Sequence, residues 1–496
     1  MKGHFARFLK HAAVYGVGLA GSKFGYLLLL PIYTRFLGPT EFGSVALFTV
    51  YLTVIRIVFT LGMNSSLFRS YFEVEEAEQK KRCIATALLS LVFFVVIAFG
   101  VTIHFSESLS MLVLSSPHHS RLIALVSLTA AVESLTLIPQ SVLRAQEKSI
   151  LFVAVGGLKI LFLVILSFLF LGILDKGIEG IVYSWMGAAI LIGLILMPFL
   201  ARNVSFSFSV DVMKKLLSFG IPLLPSQLAI WFLNYSDQYF LGRFATLDAV
   251  GLYSLGFRIS LVVNTLVILP FTLEWAPFML DIEREDDARS IYSKILTYFA
   301  LFAVSSALFV SLFADVLVRI LATPSYYAAA SLVPLMALSF VLYGVFNIFA
   351  LGPTLTRQTI YTSLASCLGA FFALGGYLLL IPSFKSFGAA GSKALGYGLM
   401  TAAIFFFSQR LYSVQYEWTR ILKIFLGAGT VYAFSTLTAT ALFPVNVAIK
   451  GCLFIMYWVL LYVAGLFSRD EIGYAKSFVV NAAKNLRFVN GGKWDP

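Results

Sequence analysis

The sequence predicts an all-α polytopic membrane protein of about fourteen transmembrane helices, built as two six-helix lobes in pseudo-twofold arrangement plus two C-terminal helices. Three observations lead there. Hydrophobic residues make up 59% of the 496 and charged residues only 12%, where soluble domains carry about 25% charged residues. Apolar runs of about 20 residues, enough to cross about 30 Å of hydrocarbon as a helix, follow one another along the chain. Short glycine, proline and aromatic landmarks return some two hundred residues after they first occur.

The runs fall at 11–34, 43–63, 83–104, 121–142, 150–172, 178–200 and 216–241, then at 249–270, 291–314, 328–350, 359–382, 388–409, 421–443 and 447–467. The first carries Lys23 near its middle, among Gly16, Gly18, Gly21 and Gly25 and ahead of Pro31. A charge at that depth is unfavourable, and the glycines allow close approach to a neighbouring helix. Met1 to Lys10 is basic, but the run behind it is too long for a signal peptide and lacks a small-residue cleavage site, so the segment is expected to be retained. Connections stay shorter than about 25 residues and leave no room for a folded extramembrane domain. The stretch 472–488 spaces Ile472, Ala475, Phe478, Val479, Ala482 and Leu486 as one face of a helix against Lys476, Lys484 and Arg487, which suits either an inner-leaflet helix or a disordered tail.

Lysine and arginine set the orientation. Of those in the connections and tails, 24 fall on the side that holds the N-terminus and six on the other. By the positive-inside rule both termini are cytoplasmic. The net charge of +12 is therefore the mark of membrane orientation and excludes nucleic acid as a partner. Cys83, Cys367 and Cys452 lie in or beside different runs without ligand spacing, so neither a disulfide framework nor a metal site is expected.

Internal likeness organises the chain. Tyr15-Gly16 has a counterpart in Phe219-Gly220, Arg35-Phe36 in Arg243-Phe244, Phe42-Gly43-Ser44 in Val250-Gly251-Leu252, and Gly180 in Gly391, at offsets of 204, 208, 208 and 211. Each half spans six runs, an even number, so the halves share orientation and would enclose a cavity that opens to either side. The expected units are an N-terminal lobe at 1–204, a C-terminal lobe at 205–415, two additional helices at 416–468 and a cytoplasmic tail at 469–496.

The stretches YGVG and PIYTRFLGPTEFGSVAL in the first helices, LRAQEKS after the fourth run, FGIPLLPSQL, SDQYFLG and VGLYSLGFRI in the seventh and eighth, and GAAG opening the twelfth resemble one family. It is the polysaccharide-transporter branch of the multidrug/oligosaccharidyl-lipid/polysaccharide exporter superfamily, to which O-antigen repeat-unit flippases and lipid II flippases belong. The resemblance covers about the first 410 residues. It departs at Gln238, where the family often has Arg, and at Lys393, where a small residue is usual. It implies a two-lobed, MATE-like bundle of the inner membrane whose runs one, two, seven and eight line the cavity. The implied partners are a polyprenyl-linked oligosaccharide and membrane lipid, with a polysaccharide polymerase and a chain-length regulator acting beside it, and no cofactor.

Ionisable residues inside spans cost about 2.5–3.5 kcal/mol each on insertion scales and normally face a bundle interior or water. Those near mid-span are Lys23, Arg56, Glu133, Lys159 and Arg258. Lys23, Arg56 and Arg258 fall on three of the four runs that the resemblance puts around the cavity, where they would stabilise the diphosphate of a polyprenyl-linked sugar. Snorkelling or the capping of broken-helix carbonyls is the alternative. Glu133 and Lys159, at similar depth on consecutive helices, either pair structurally or let Glu133 couple proton or sodium entry to reorientation. Asp237, with Tyr235, Gln238 and Tyr239, either belongs to an interfacial aromatic belt or contacts sugar hydroxyls or a coupling ion. Glu274, Arg243 and Lys393 are placed at span ends.

Three activities are compatible with such a chain. A flippase for a lipid-linked oligosaccharide is the expected one. A multidrug exporter would rely on intramembrane acids, whereas the charges here are mainly basic. A polymerase or glycosyltransferase would need a catalytic constellation, and His4, His11, His104, His118 and His119 form none.

Overall fold

The computed structural model describes residue 21 and residues 25–205, 207–438 and 443–467. Every regular element among them is a helix, as the hydrocarbon core demands of a chain that must satisfy its own backbone. In order they are α1 (25–36), α2 (Pro39–Thr60), α3 (Met63–Glu73), α4 (Ala77–His104), α5 (Ser106–Leu114), α6 (Ser120–Ala145), α7 (Ser149–Ser167) and α8 (Gly177–Asn203). Then come α9 (Val210–Gly220), α10 (Leu224–Phe244), α11 (Leu247–Val263), α12 (Leu269–Asp281), α13 (Ala288–Leu312), α14 (Ala314–Leu321), α15 (Val333–Phe349) and α16 (Leu351–Leu355). The chain ends in α17 (Ile360–Leu411), α18 (Trp418–Leu437) and α19 (Phe443–Val463).

Eleven of these segments are long and apolar enough to cross a membrane, which makes this a multi-pass membrane protein. The difference from fourteen runs has identifiable sources. The first run lies largely outside the described residues. α17 takes in two runs: its 52 residues break at Lys385, with φ 48° and ψ −123°. Beyond that break the chain turns back on itself. A Cβ on Gly376 would come within 2.6 Å of Ser392 Oγ and one on Gly396 within 2.7 Å of Ala373 Cβ, so the two halves lie antiparallel with small residues at their seam. α18 covers the thirteenth run and is not among the eleven.

Two helix bundles share a large apolar core, and two smaller apolar clusters lie on the side of the first. In the first, α6 packs on α2, α4 and α8, and α7 on α8; in the second, α15 packs on α11, α13 and α17, and α10 on α17. The α18–α19 pair leans on α13. Lys450 and Asn446 of α19 fasten it to Asp315 of α14, while Arg420 and Lys423 of α18 tie the two helices together by donating to the carbonyls of Leu466 and Ala464 just after α19.

The bundles meet most extensively along α2 and α11. A Cβ on Gly43 would lie 1.9 Å from Leu247 O, and one on Gly251 would lie 2.0 Å from Pro39 O. Pro39 and Leu247, like Gly43 and Gly251, are 208 positions apart. Landmarks of the repeat therefore touch each other across the pseudo-twofold axis, and only glycine lets the two backbones come so close.

The same end is closed by further side-chain contacts. Thr34 donates to Leu321 O at 2.8 Å and Thr323 donates back to Thr34 O at 3.2 Å. Arg243 donates to Ser115 Oγ at 3.0 Å, where Ser115 is the counterpart of Thr323. Tyr326 completes the closure, with its hydroxyl on Leu37 O at 2.9 Å and its ring edge-on to Phe42.

At the opposite end, Gly62, with φ +70°, abuts Gly220. Glu73 joins Arg69 of its own helix to Lys215 of α9, at 2.9 and 2.7 Å.

Candidate functional site

Between the bundles, α1, α2, α10 and α11 surround a cavity of about 170 Å³. Its lining includes Tyr26 and Leu27 of α1, Thr49 of α2, Tyr235 and Gln238 of α10, and Ser254, Phe257 and Arg258 of α11, with Leu261, Val262 and Thr265 beyond. The lining mixes hydroxyl, amide and aromatic groups with one guanidinium. Apolar and aromatic surface makes up most of these walls, and the few polar groups are placed to orient a ligand.

Arg258 is the cavity's own cation. Its guanidinium lies 5.5 Å from the centre of the Phe42 ring and within electrostatic reach of Tyr26, Tyr33 and Tyr235. Among the described residues no carboxylate pairs with it. A cation at this depth without a counter-ion is held at a cost that a bound anion would offset.

Arg56 lies further along the helix face that carries Thr49. Positions 49, 53 and 56 have i, i+4, i+7 spacing and so share one face of α2. Thr53 accepts from the indole of Trp231 on α10 at 3.0 Å, which pins that face to the opposite bundle. Tyr235 of the cavity wall is in electrostatic reach of both Arg56 and Arg258.

The structure brings Arg56 together with the two residues that the sequence placed as a separate pair. Arg56 Nη1 donates to Glu133 Oε2 at 3.0 Å, and Lys159 Nζ donates to Glu133 Oε1 at 2.5 Å. Glu133 therefore accepts two cations from two different helices, one on each oxygen. Its side chain is 9% exposed, against 38% for Arg56 and 26% for Lys159. Lys159 is also in electrostatic reach of Tyr26, and Ile160 beside it fills the space over Gly25 of α1. The triad thus backs onto the cavity wall. Lys23, the third expected cavity cation, lies outside the described residues.

Asp237 sits in neither an interfacial belt nor the cavity. It is fully buried inside the second bundle, where its Oδ2 accepts from Lys393 Nζ at 2.8 Å and from Tyr253 Oη at 2.6 Å. Lys393 also donates to Asn234 O at 2.9 Å and lies 4.4 Å from the centre of the Phe257 ring. Lys393 does not snorkel to the surface: it is 3% exposed, and its ammonium neutralises a carboxylate that hydrocarbon alone could not accommodate. Arg243 does stand at a helix end, where it reaches Ser115 across the bundles.

Sequence reasoning missed Tyr26, Thr49 and Ser254 in the cavity wall and Tyr253 on Asp237. The shared face of Thr49, Thr53 and Arg56 was a usable signal for α2. Nothing local marks Tyr253.

A family model described as "Polysaccharide biosynthesis protein" matches residues 8–283. A search of curated proteins finds no matching relative. Among solved structures, the chain is similar to the lipid II flippase MurJ in an inward closed conformation, at 13% identity and TM-score 0.75, over 92% of this chain and 100% of that one. It is also similar to an inward-facing multidrug resistance MATE family transporter of the MOP superfamily, at 16% identity and TM-score 0.61, over 81% and 95%. The Vibrio cholerae MATE transporter VcmN matches at 17% identity and TM-score 0.57, with the same coverage. At these identities the likeness is one of fold.

Proposed function

The chain belongs to the polysaccharide biosynthesis protein family, and from that premise we propose that it is a flippase of polyprenyl-diphosphate-linked oligosaccharide, an O-antigen or similar polysaccharide repeat unit. It carries the headgroup from the cytoplasmic to the outer leaflet of the inner membrane by alternating access, while the polyprenyl tail stays in lipid. The excess of lysine and arginine on one side sets both termini in the cytoplasm and makes the Gly43 end the outer one. A polysaccharide polymerase and a chain-length regulator would receive the translocated unit.

One observation carries the reading: a cavity between the bundles holds Arg258, with which no carboxylate pairs among the described residues, and Tyr235 of its wall lies within electrostatic reach of Arg56 as well. A diphosphate diester brings two negative charges. Arg258 and the Arg56–Glu133–Lys159 triad together bring two net positive ones. Guanidinium suits bidentate contact with phosphate oxygens, and the hydroxyl and amide groups of Thr49, Tyr235, Gln238 and Ser254 can exchange hydrogen bonds with a sugar. A cationic drug, the cargo of a multidrug exporter, would be repelled by the same walls.

The test is movement of a fluorescent polyprenyl-diphosphate N-acetylglucosamine across vesicles reconstituted with the full chain. Arg258→Ala should lower the initial rate at least about tenfold, the size of effect expected when a charge-assisted contact is lost from a site with few cations. Wild-type transport by Arg258→Ala, or failure of the wild type to move the probe while it exports organic cations, overturns the reading.

A further inference from the structure

Glu133 is an acid beside a site whose task, on the reading above, is to attract an anion. By itself it would cancel Arg56: the two groups are joined at 3.0 Å, and an ion pair presents almost no net field to a ligand a few ångströms further on. The structure supplies a second cation on the other carboxylate oxygen, Lys159 Nζ at 2.5 Å, donated from α7. The three groups sum to one positive charge, and Arg56 is its most exposed carrier. Lys159 and Glu133 are the more enclosed members, at 26% and 9%, while Arg56 keeps 38% of its side chain open, on the α2 face that carries Thr49 of the cavity wall.

We propose that Lys159 is a positioning residue for the anionic headgroup: by neutralising Glu133 it leaves the charge of Arg56 available to substrate, while Glu133 holds the guanidinium in place. Lys159 need not touch the ligand. The carboxylate fixes Arg56 in one orientation, which lowers the entropy lost when a phosphate binds, and the ammonium offsets the charge that this fixing introduces. When the anion arrives, Arg56 can share or exchange its carboxylate contact without stranding Glu133, because Lys159 remains bonded to the other oxygen. That exchange would give substrate a direct hold on α2, the helix whose glycine contact with α11 joins the bundles.

The proposal rests on the flippase reading, and charge balance separates the two. Lys159→Met leaves Glu133 to cancel Arg56, and the affinity for the fluorescent polyprenyl-diphosphate N-acetylglucosamine, read as KM in the vesicle assay, should weaken about tenfold, as loss of one unit charge near the site implies. The double variant Glu133→Gln/Lys159→Met restores one net positive charge and should return KM to within about threefold of wild type, although it is further from the native sequence. Lys159→Arg keeps the charge and should behave as wild type. A purely structural role for Lys159 would leave the double variant as impaired as the single one, and that result overturns the proposal. So does wild-type KM for Lys159→Met where Arg258→Ala is defective. If Arg258→Ala is itself unaffected, the flippase reading falls first. Thermal unfolding of each variant in detergent shows whether a loss of transport is a loss of folded protein, and Lys159→Arg and the double variant remain informative if Lys159→Met does not fold.

Discussion

The Gly43–Gly251 contact makes a quantitative prediction. In Gly43→Ala the new Cβ would stand 1.9 Å from Leu247 O, where ordinary contact needs about 3.4 Å, so α2 and α11 must part locally by roughly 1.5 Å. The obstacle is backbone and not the tip of a flexible side chain, so it cannot rotate away. Overpacking of this kind costs about 1–3 kcal/mol. If parting the bundles at this end relieves it, the ratio of sealed to parted states falls by a factor of about 5–150. The assay is labelling of Thr49→Cys in the cavity wall by a membrane-impermeant maleimide, in a background where Cys83, Cys367 and Cys452 are replaced by serine. Gly43→Ala should speed labelling from the Gly43 end. Gly251→Ala should do the same, because its Cβ meets Pro39 O at 2.0 Å in the symmetry-related place. Gly100→Ala on α4, with nothing within 4 Å of its Cβ, is the control. Unchanged labelling in both glycine variants, or an equal rise in the control, would refute the idea that these glycines hold the bundles together.

Two other outcomes follow from the ion pairs. Lys393→Met strands Asp237 in the second bundle and should lower stability by about 3–5 kcal/mol, whereas Asp237→Asn/Lys393→Met should recover most of it; thermal unfolding in detergent that leaves the single variant at the wild-type temperature would contradict the pairing. Glu73 is held below the ordinary carboxylate range by its hydrogen bonds from Lys215 and then Arg69. Because the folded-state value is depressed, the link between α3 and α9 is complete above 4.5, the usual carboxylate value, and is lost as pH falls through the lower folded value. Glu73→Gln should therefore unfold earlier than wild type at pH 7, with the difference closing below pH 4.5 in an acid titration of the unfolding temperature.

The spans were legible because the solvent imposes them: a helix crossing hydrocarbon must be apolar for about 20 residues, and that length leaves a trace in any sequence. The turn at Lys385 was legible too, as the gap between two runs, although the backbone stays helical nearly up to it. Pairings between helices left no such trace. Arg56 and Glu133 are 77 positions apart and meet only because α2 packs on α6. Lys393 reads as a snorkelling residue until Asp237, 156 positions earlier, is seen beside it. Burial of a charge is a property of the partner helix, and the partner is fixed by packing, which composition does not encode. The cavity lay between the two extremes: the positions of Arg56 and Arg258 were visible, but the carboxylate on one and its absence on the other were not.

The repeat, in the end, governs one thing and not another. The backbone contacts that close the Gly43 end come as a symmetric pair: Gly43 on Leu247 and Gly251 on Pro39. The charges obey no such rule. At an offset of 208, Arg56 corresponds to Asn264, Arg258 to Val50, Glu133 to Val341 and Asp237 to Leu29. Two rigid bodies that rock about a shared axis need matching surfaces where they touch, since a mismatch on one flank would bias the seal, and this keeps the contact residues alike in both halves. A ligand without twofold symmetry imposes no such likeness. A headgroup with a diphosphate at one end and sugars at the other needs cations on one wall and neutral hydrogen-bonding groups on the next. The first bundle accordingly sets Glu133 on Arg56 at the cavity edge, while the second encloses Asp237 with Lys393 and, among the described residues, gives Arg258 no counter-ion.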